Sequence, residues 1–97
     1  MLNNAAGLSK IVLVTGYTDL RRGIDGLAAL IKTEYGRDPF EKDVLYLFAG
    51  RQAGKIKCLL WEGDGFLLLI KPLNTVKILH FHHNFFDLRW KNILSRA

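Results

Sequence analysis

Closely spaced apolar runs in the middle of the chain constrain its fold more than any other feature. The runs cover residues 44–49, 55–61 and 66–71, and short segments rich in glycine and polar residues separate them. Each run has the length of an ordinary β-strand. Because a short loop joins consecutive strands only when they run antiparallel, the spacing predicts an antiparallel meander. The last turn, Glu62-Gly-Asp-Gly65, is expected to use its glycines for positive φ angles.

The sequence upstream of the meander predicts one further strand and one helix. Residues 10–15 form a β-branched and aliphatic run that is typical of a strand. Apolar residues then recur at helical spacing, which predicts a helix near 19–35. These residues are Leu20, Ile24, Leu27, Ile31 and Tyr35. Thr18 or Asp19 is the expected N-cap and Gly36 the expected C-cap.

Two glycines leave the start of this helix open. Gly23 and Gly26 lie inside the helical stretch, where each costs roughly 1 kcal/mol relative to alanine. Close packing of the helix on the sheet would explain them. The alternative is a helix that begins near Ile24, after an irregular glycine turn.

The combined pattern predicts an α+β fold in which one helix packs on a mainly antiparallel sheet. With 97 residues, the chain is expected to form a single domain, residues 1–97. Its single cysteine, Cys58, is expected to be a small buried hydrophobe in a strand. Residues 66–70 are apolar on both strand faces. We therefore expect that another segment covers the second face or that the sheet self-associates into a homo-oligomer.

Positive charge is concentrated in the second half of the chain. The net charge is +5, and because residues 1–50 contain six Lys/Arg and six Asp/Glu, the whole excess lies in residues 51–97. A basic surface attracts polyanions, most often nucleic acid, although an ordinary solvated surface would give the same count. We expect neither a signal peptide nor a membrane span, because no apolar run is long enough for either, and therefore a cytoplasmic protein.

Two groups of basic residues are the candidate nucleic-acid contacts. Arg21 and Arg22 fall at the start of the predicted helix, where guanidinium groups and free backbone N–H groups would form a phosphate cradle. The competing interpretation is that Asp19 and Asp25 neutralise them at the surface. The second group, at one end of the predicted hairpin, consists of Arg51, Lys55 and Lys57. This group would lie along a phosphate backbone or protect a sheet edge from aggregation.

An acidic turn and a histidine-rich stretch are the candidates for metal chemistry. Glu62 and Asp64 are too few carboxylates for a two-metal nuclease, so solvated turn residues are the favoured interpretation. His80 and His82 would share one side of a strand, with His83 adjacent, but an incidental polar stretch is favoured over a metal site. The sequence contains no nucleophile–base constellation, phosphate loop or dinucleotide fingerprint. We therefore expect no metal and no cofactor.

Several strings in the sequence together resemble one family of small transposon-encoded proteins. They are Gly16-Tyr-Thr-Asp-Leu-Arg-Arg-Gly-Ile-Asp-Gly-Leu27, Asp38-Pro-Phe40, Leu45-Tyr-Leu-Phe-Ala-Gly-Arg51, Lys55-Ile-Lys57 and Trp61-Glu-Gly-Asp-Gly-Phe-Leu-Leu-Leu69. In this order they resemble the TnpB-type, Orf2-like accessory protein encoded by the second open reading frame of insertion sequence sixty-six (IS66) elements. This family is distinct from the RNA-guided nuclease that shares the name. The resemblance covers residues 7–73, whereas the tail, residues 74–97, departs from the family pattern as a truncated or frame-shifted remnant would.

The resemblance implies a supporting role in transposition. Proteins of this family are encoded beside the large transposase that carries the catalytic acidic triad. The leading hypothesis is therefore a non-catalytic accessory protein that binds the DNA of the element ends through the basic residues named above. The alternative is an adaptor that docks on the transposase or on its small partner protein through apolar strand faces, including Trp61 and Phe66. A metal-dependent nuclease built on the acidic turn and the histidines is the third and weakest hypothesis.

Overall fold

The computed structural model describes residues 8–14, 18–51 and 54–75, which contain one helix and four strands. In chain order the elements are β1 (Lys10–Leu13), α1 (Ile24–Tyr35), β2 (Val44–Ala49), β3 (Lys55–Trp61) and β4 (Phe66–Pro72). The expected α+β fold is confirmed. The predicted strand at 10–15 extends only to Leu13 in the described residues, and the last strand runs one residue beyond its predicted end.

The strands form one mixed sheet in the order β1-β2-β3-β4. The pairs β2–β3 and β3–β4 are antiparallel, which confirms the predicted meander. β1 pairs with β2 in parallel, in the register that places Lys10 beside Val44. Parallel neighbours need a crossover connection, and α1 lies in the segment that joins them.

Both faces of the sheet carry buried apolar side chains. The cluster on the helix side contains Val14, Leu27, Ile31, Val44, Tyr46, Phe48 and Leu59. The cluster on the opposite side contains Leu8, Ile11, Leu13, Leu45, Leu47, Ala49, Ile56, Cys58, Leu60 and Leu73. Every residue of β2 is buried, so this central strand behaves as a strand covered on both faces. β4 differs, because its side chains stay partly or fully exposed along its whole length.

The helix begins at Ile24, so the predicted start near residue 19 is wrong and the alternative start is correct. The reason lies in how Asp19 uses its hydrogen-bonding groups. Its carboxylate accepts the backbone N–H of Arg21 at 3.0 Å, and its carbonyl accepts that of Arg22 at 3.1 Å. These two bonds close a single turn at residues 19–22, and the turn is not continued into α1. Gly23 takes the N-cap position, in an extended conformation and without a side-chain cap.

The helix ends at the glycine that the sequence identifies. Gly36 adopts a left-handed conformation with φ of 63°, and its N–H and that of Arg37 both donate to the Ile31 carbonyl. Asp38 then closes a turn, its carboxylate accepting the N–H of Phe40 at 2.9 Å. The predicted C-cap is therefore confirmed.

The turn before β4 and the cysteine test two further expectations. Gly63 has the expected positive φ, at 98°, but Gly65 does not, so only one of the two glycines of this turn needs a positive φ.

Cys58 is buried, and this burial raises the pKa of its thiol to about 12. The expectation of a small buried hydrophobe is confirmed. The histidines and the tail from residue 76 onward lie outside the described residues.

We predict that Gly36→Ala lowers the free energy of unfolding by about 1 kcal/mol, because an L side chain is strained at a φ of 63°. Urea unfolding followed by circular dichroism measures the change. Gly65→Ala is the matched control, since its φ is not positive and an added Cβ meets nothing within 4 Å. Equal losses for the two variants would contradict the conformational explanation.

Candidate nucleic-acid interface

The structure gathers the five candidate basic residues at one end of the sheet. At this end β1 and β2 finish, β3 starts and the segment leading into α1 crosses over. We call it the basic end, and it comprises Arg21, Arg22, Arg51, Lys55 and Lys57. Because β1 and β2 are parallel, their carboxyl ends lie at the same end of the sheet. In α/β folds, ligands commonly bind at the carboxyl ends of the strands.

Backbone contacts hold the segment before α1 against the end of β2. Thr18 donates its N–H to the carbonyl of Ala49, the last residue of β2, at 2.8 Å, so hydrogen bonding to β2 continues beyond the end of β1. The Leu20 side chain lies over Gly50, where an added Cβ would come within 2.9 Å of it. A side chain at position 50 would therefore force the Leu20 side chain to shift.

Arg21 is paired with Asp19. Its Nε and Nη2 donate to the two carboxylate oxygens at 3.0 and 2.8 Å. These hydrogen bonds hold the pKa of Asp19 at about 2, well below its usual value of 3.8. Asp19 therefore neutralises the charge of Arg21 at the surface, as the competing interpretation expects. The Arg21 side chain is still 91% exposed, so solvent screens the pair and leaves it open to competition from another anion.

Arg22 stands directly before the N-cap of α1 and is exposed. Its aliphatic stem lies beside Gly26, where an added Cβ would sit 3.3 Å from Arg22 Cβ. The first backbone hydrogen bond of α1 runs from the Leu27 N–H to the Gly23 carbonyl. The N–H groups before Leu27 therefore belong to the helix terminus, where N–H groups have no partner within the helix. An arginine next to such a helix terminus is a suitable arrangement for a phosphate, although Asp25 in the first turn reduces its positive potential.

Lys57 is half-buried and ties two elements together. Its ammonium group donates to the Arg22 carbonyl at 2.9 Å, across 35 positions of sequence. The residue that the sequence offers as a phosphate contact thus holds the segment before α1 on β3. Lys55 and Arg51, in contrast, are exposed at the start of β3 and after β2. At the basic end, the Lys57 ammonium group therefore has a backbone contact and the Arg21 guanidinium has a carboxylate partner.

Sequence reasoning missed a sixth cation near this end. Lys71 lies opposite Ile56 in the β3–β4 register, on the sheet face away from α1. It is close enough to Cys58 to lower the pKa of that thiol slightly, against the larger effect of burial. Its position follows from counting back along the predicted hairpin from the Glu62–Gly65 turn, so the sequence did contain the signal.

An aromatic cluster at the other end of β3 was also not predicted as a unit. The Phe40 ring lies 4.9 Å from that of Trp61 and 5.4 Å from that of Phe66, measured between centroids. Phe40 is 54% exposed although it is a large apolar residue. An open cleft of about 340 Å³ adjoins it, lined by Lys32, Gly36, Arg37, Asp38, Pro39 and Phe40. We call Phe40, Trp61 and Phe66 the aromatic cluster.

The acidic turn lies beside the aromatic cluster, away from the basic end. Glu62 and Asp64 are exposed there, and the Glu62 N–H donates to the Gly65 carbonyl at 2.9 Å. Within residues 8–14, 18–51 and 54–75, no three His, Cys, Asp or Glu side chains come together to hold a metal ion. In the same residues no helix is long and apolar enough to cross a membrane.

Comparison with known proteins identifies the family. The model of the IS66 Orf2 like protein family matches residues 9–93, so the chain belongs to that family. The matched residues include part of the tail that follows Leu73. An uncharacterized protein, y4jC of Sinorhizobium fredii (strain NBRC 101917 / NGR234), is 32% identical over 79 residues, which cover 81% of this chain. The chain spans 66% of the length of that relative. No solved structure matches the chain significantly.

Membership in this family makes the chain an accessory protein of an insertion sequence. The resemblance drawn from the sequence strings is thereby confirmed.

We predict that the Asp19 carboxyl titrates near pH 2 and that Arg21→Ala returns its pKa toward 3.8, because the hydrogen bonds from Arg21 are the main cause of the shift. NMR titration of the side-chain carboxyl carbons measures both values. Arg22→Ala is the control, since Arg22 acts only weakly and at a distance. An unshifted Asp19 in the unmodified chain would contradict the ion pair.

The same shift fixes the direction of a stability effect. A carboxyl whose pKa is lower in the folded chain stabilises it above pH 4 and loses that contribution as the pH falls from about 4 to 2. Asp19→Asn should therefore flatten this part of the pH–stability profile.

Proposed function

We propose that this insertion-sequence accessory protein is not an enzyme and binds DNA at the element ends through its basic end. The observation that supports this most directly is the convergence of Arg21, Arg22, Arg51 and Lys55 at the point where α1 begins. These side chains come from two separate parts of the chain, the segment before α1 and the β2–β3 hairpin. The fold therefore brings cations that are distant in the sequence to one end of the sheet.

Phosphate is the chemical group that this surface suits. Guanidinium groups bind phosphate oxygens in a bidentate manner, and ammonium groups add charge without strict geometry. The cations of the basic end are exposed, so we expect contacts with the phosphate backbone to dominate over reading of individual bases. Affinity should then depend strongly on salt, because each neutralised phosphate releases a counterion.

The contacts that each basic residue already makes indicate how available it is to bind a phosphate. Arg22 is exposed and carries no carboxylate partner among the ion pairs of the described residues, whereas Arg21 must share or leave Asp19 to reach a phosphate. Lys57 contributes to DNA binding indirectly, because it holds the segment that carries Arg22. We propose that Arg22 and Lys55 make the strongest phosphate contacts and that Asp19 weakens binding.

We predict that Arg22→Ala weakens binding to element-end DNA several-fold and reduces the magnitude of the slope of log affinity against log salt by about 1. Arg21→Ala should have a smaller effect, because its cation is already paired. Asp19→Asn should strengthen binding, since it removes a negative charge and releases Arg21. Fluorescence anisotropy with labelled duplex at several salt concentrations measures all three.

The control for these variants is Lys32→Ala, which removes an exposed cation from the last turn of α1, at the opposite end of the helix. It should leave affinity and slope almost unchanged. Equal losses for Lys32→Ala and Arg22→Ala would mean that net charge alone drives binding. Absence of salt dependence in the unmodified chain would refute the proposal.

The second candidate function is an adaptor that docks on the transposase or on its small partner protein. The exposure of Phe40 and its packing against Trp61 favour this candidate, since exposed aromatic residues are enriched where proteins bind one another. Phe40→Ser should abolish capture of the transposase in a pull-down while leaving DNA affinity intact. If Phe40→Ser leaves capture unchanged while Arg22→Ala abolishes it, the aromatic cluster is not the docking site.

A further inference from the structure

The sheet face opposite α1 is buried, although among residues 8–14, 18–51 and 54–75 no helix or strand lies over it. All four described strands belong to one sheet, and α1 buries Leu27 and Ile31 in the cluster on the other side. Leu47, Ile56 and Cys58 on the opposite side are nevertheless at most 1% exposed. A sheet face that meets water exposes its side chains, so a further layer covers this one. We call it the far face, and its central side chains are those of Leu45, Leu47, Ile56, Cys58 and Leu60.

Two apolar side chains from described loops reach the far face, each at a corner. Leu8 precedes β1 and Leu73 follows β4, and both belong to the far-face cluster. β1 and β4 are the outer strands and run in the same direction, so these two residues lie at diagonally opposite corners of the sheet. Leu47 and Cys58 are cross-strand partners on the two central strands. The two corner residues leave this central pair to be covered by another part of the chain or by another molecule.

The chain leaves β4 directly at the far face. Leu73 is 4% exposed within the far-face cluster, and its N–H donates to the Gly54 carbonyl at 2.9 Å, which fixes its position beside the start of β3. Thr75, two residues further along, is also buried. Residues 76–97 follow in the sequence, so the tail starts at the margin of the surface that needs a cover.

The tail has the composition of a covering layer. Its large apolar residues are Val76, Ile78, Leu79, Phe81, Phe85, Phe86, Leu88, Trp90, Ile93 and Leu94. Residues 1–7, which lead to the other corner, contain only Met1 and Leu2 of this kind. Covering a sheet face takes a broad set of large apolar side chains, so the tail is the better candidate of the two segments.

Part of the tail has an amphipathic sequence. Four apolar residues recur at the spacing of one helix face, and Lys91 and Ser95 lie off that face. We call the four the tail stripe, and they are Phe86, Trp90, Ile93 and Leu94. The family match reaches residue 93, which makes most of the tail part of the family's domain. An apolar stripe within a domain needs a surface to pack on, and the far face is such a surface.

We propose that residues 76–97 fold over the far face of the same chain and place the tail stripe against Leu47, Ile56 and Cys58. The domain then has three layers, with α1 on one side of the sheet and the tail on the other. In this arrangement the far face is internal core and not a docking surface for the transposase or for a second copy. The assignment is independent of DNA binding at the basic end.

Nuclear Overhauser effects in the full ¹³C-labelled chain test the proposal directly. The ring protons of Trp90 should show cross-peaks to methyl groups of Leu47 or Ile56, since packed side chains approach within about 4.5 Å. The matched control is Trp61, whose ring packs on Phe66 at the helix side of the sheet and should show no such cross-peaks. The absence of cross-peaks between ring protons of the tail stripe and these methyl groups would overturn the proposal.

A mixed sample separates the tail of the same chain from the tail of a second copy. Labelled and unlabelled chains are combined in equal amounts, and an isotope-filtered spectrum then detects only contacts between different copies. The cross-peaks of Trp90 should disappear from this spectrum. Cross-peaks that remain in it would show that the tail of another copy covers the far face, which would refute the intramolecular proposal.

The reactivity of Cys58 reports whether the tail stripe covers the far face. Cys58 is the single cysteine of the chain and lies on this face, so an aromatic disulfide reagent modifies one known site. Trp90→Ser should raise the rate of modification by about tenfold or more, because it removes part of the cover. Lys91→Ala, which lies off the tail stripe, should leave the rate unchanged. Equal rates for Trp90→Ser and the unmodified chain, or equal increases for the two variants, would contradict the proposal.

Discussion

Parallel strands cannot be joined by a tight turn, so the chain between β1 and β2 must cross over the sheet, and α1 lies in the segment that makes this crossing. The crossing buries Leu27 and Ile31 of α1 against β2 and β3. The segment before α1 therefore lies at the end of the sheet where β1 and β2 finish, with Leu20 next to Gly50. The position of Arg21 and Arg22 beside β3 is therefore a consequence of strand pairing.

The parts of the fold that depend on local pattern could be predicted from the sequence. Apolar runs separated by turn residues were sufficient for β2, β3 and β4, and Gly36 was sufficient for the end of α1. The start of α1 could not be fixed, because Asp19 serves equally as an N-cap or as the acceptor of its own turn. Contacts between distant segments, such as that of Lys57 with the Arg22 carbonyl, depend on the tertiary fold and leave no local signal.

The described residues separate three kinds of surface. Cations lie where β1 and β2 end, the aromatic cluster and the acidic turn lie at the other end of β3, and the apolar backbone edge of β4 runs between them. This separation would let a small chain contact a polyanion and a protein without competition.

Chemical-shift mapping by NMR tests the central proposal, that DNA binds at the basic end, most directly. The full ¹⁵N-labelled chain would be titrated with element-end duplex at low salt. The backbone amides of Arg21, Arg22, Arg51 and Lys55 should shift and broaden progressively, and added salt should reverse the change. Perturbations centred on Phe40 and Trp61, or the absence of any perturbation, would contradict it.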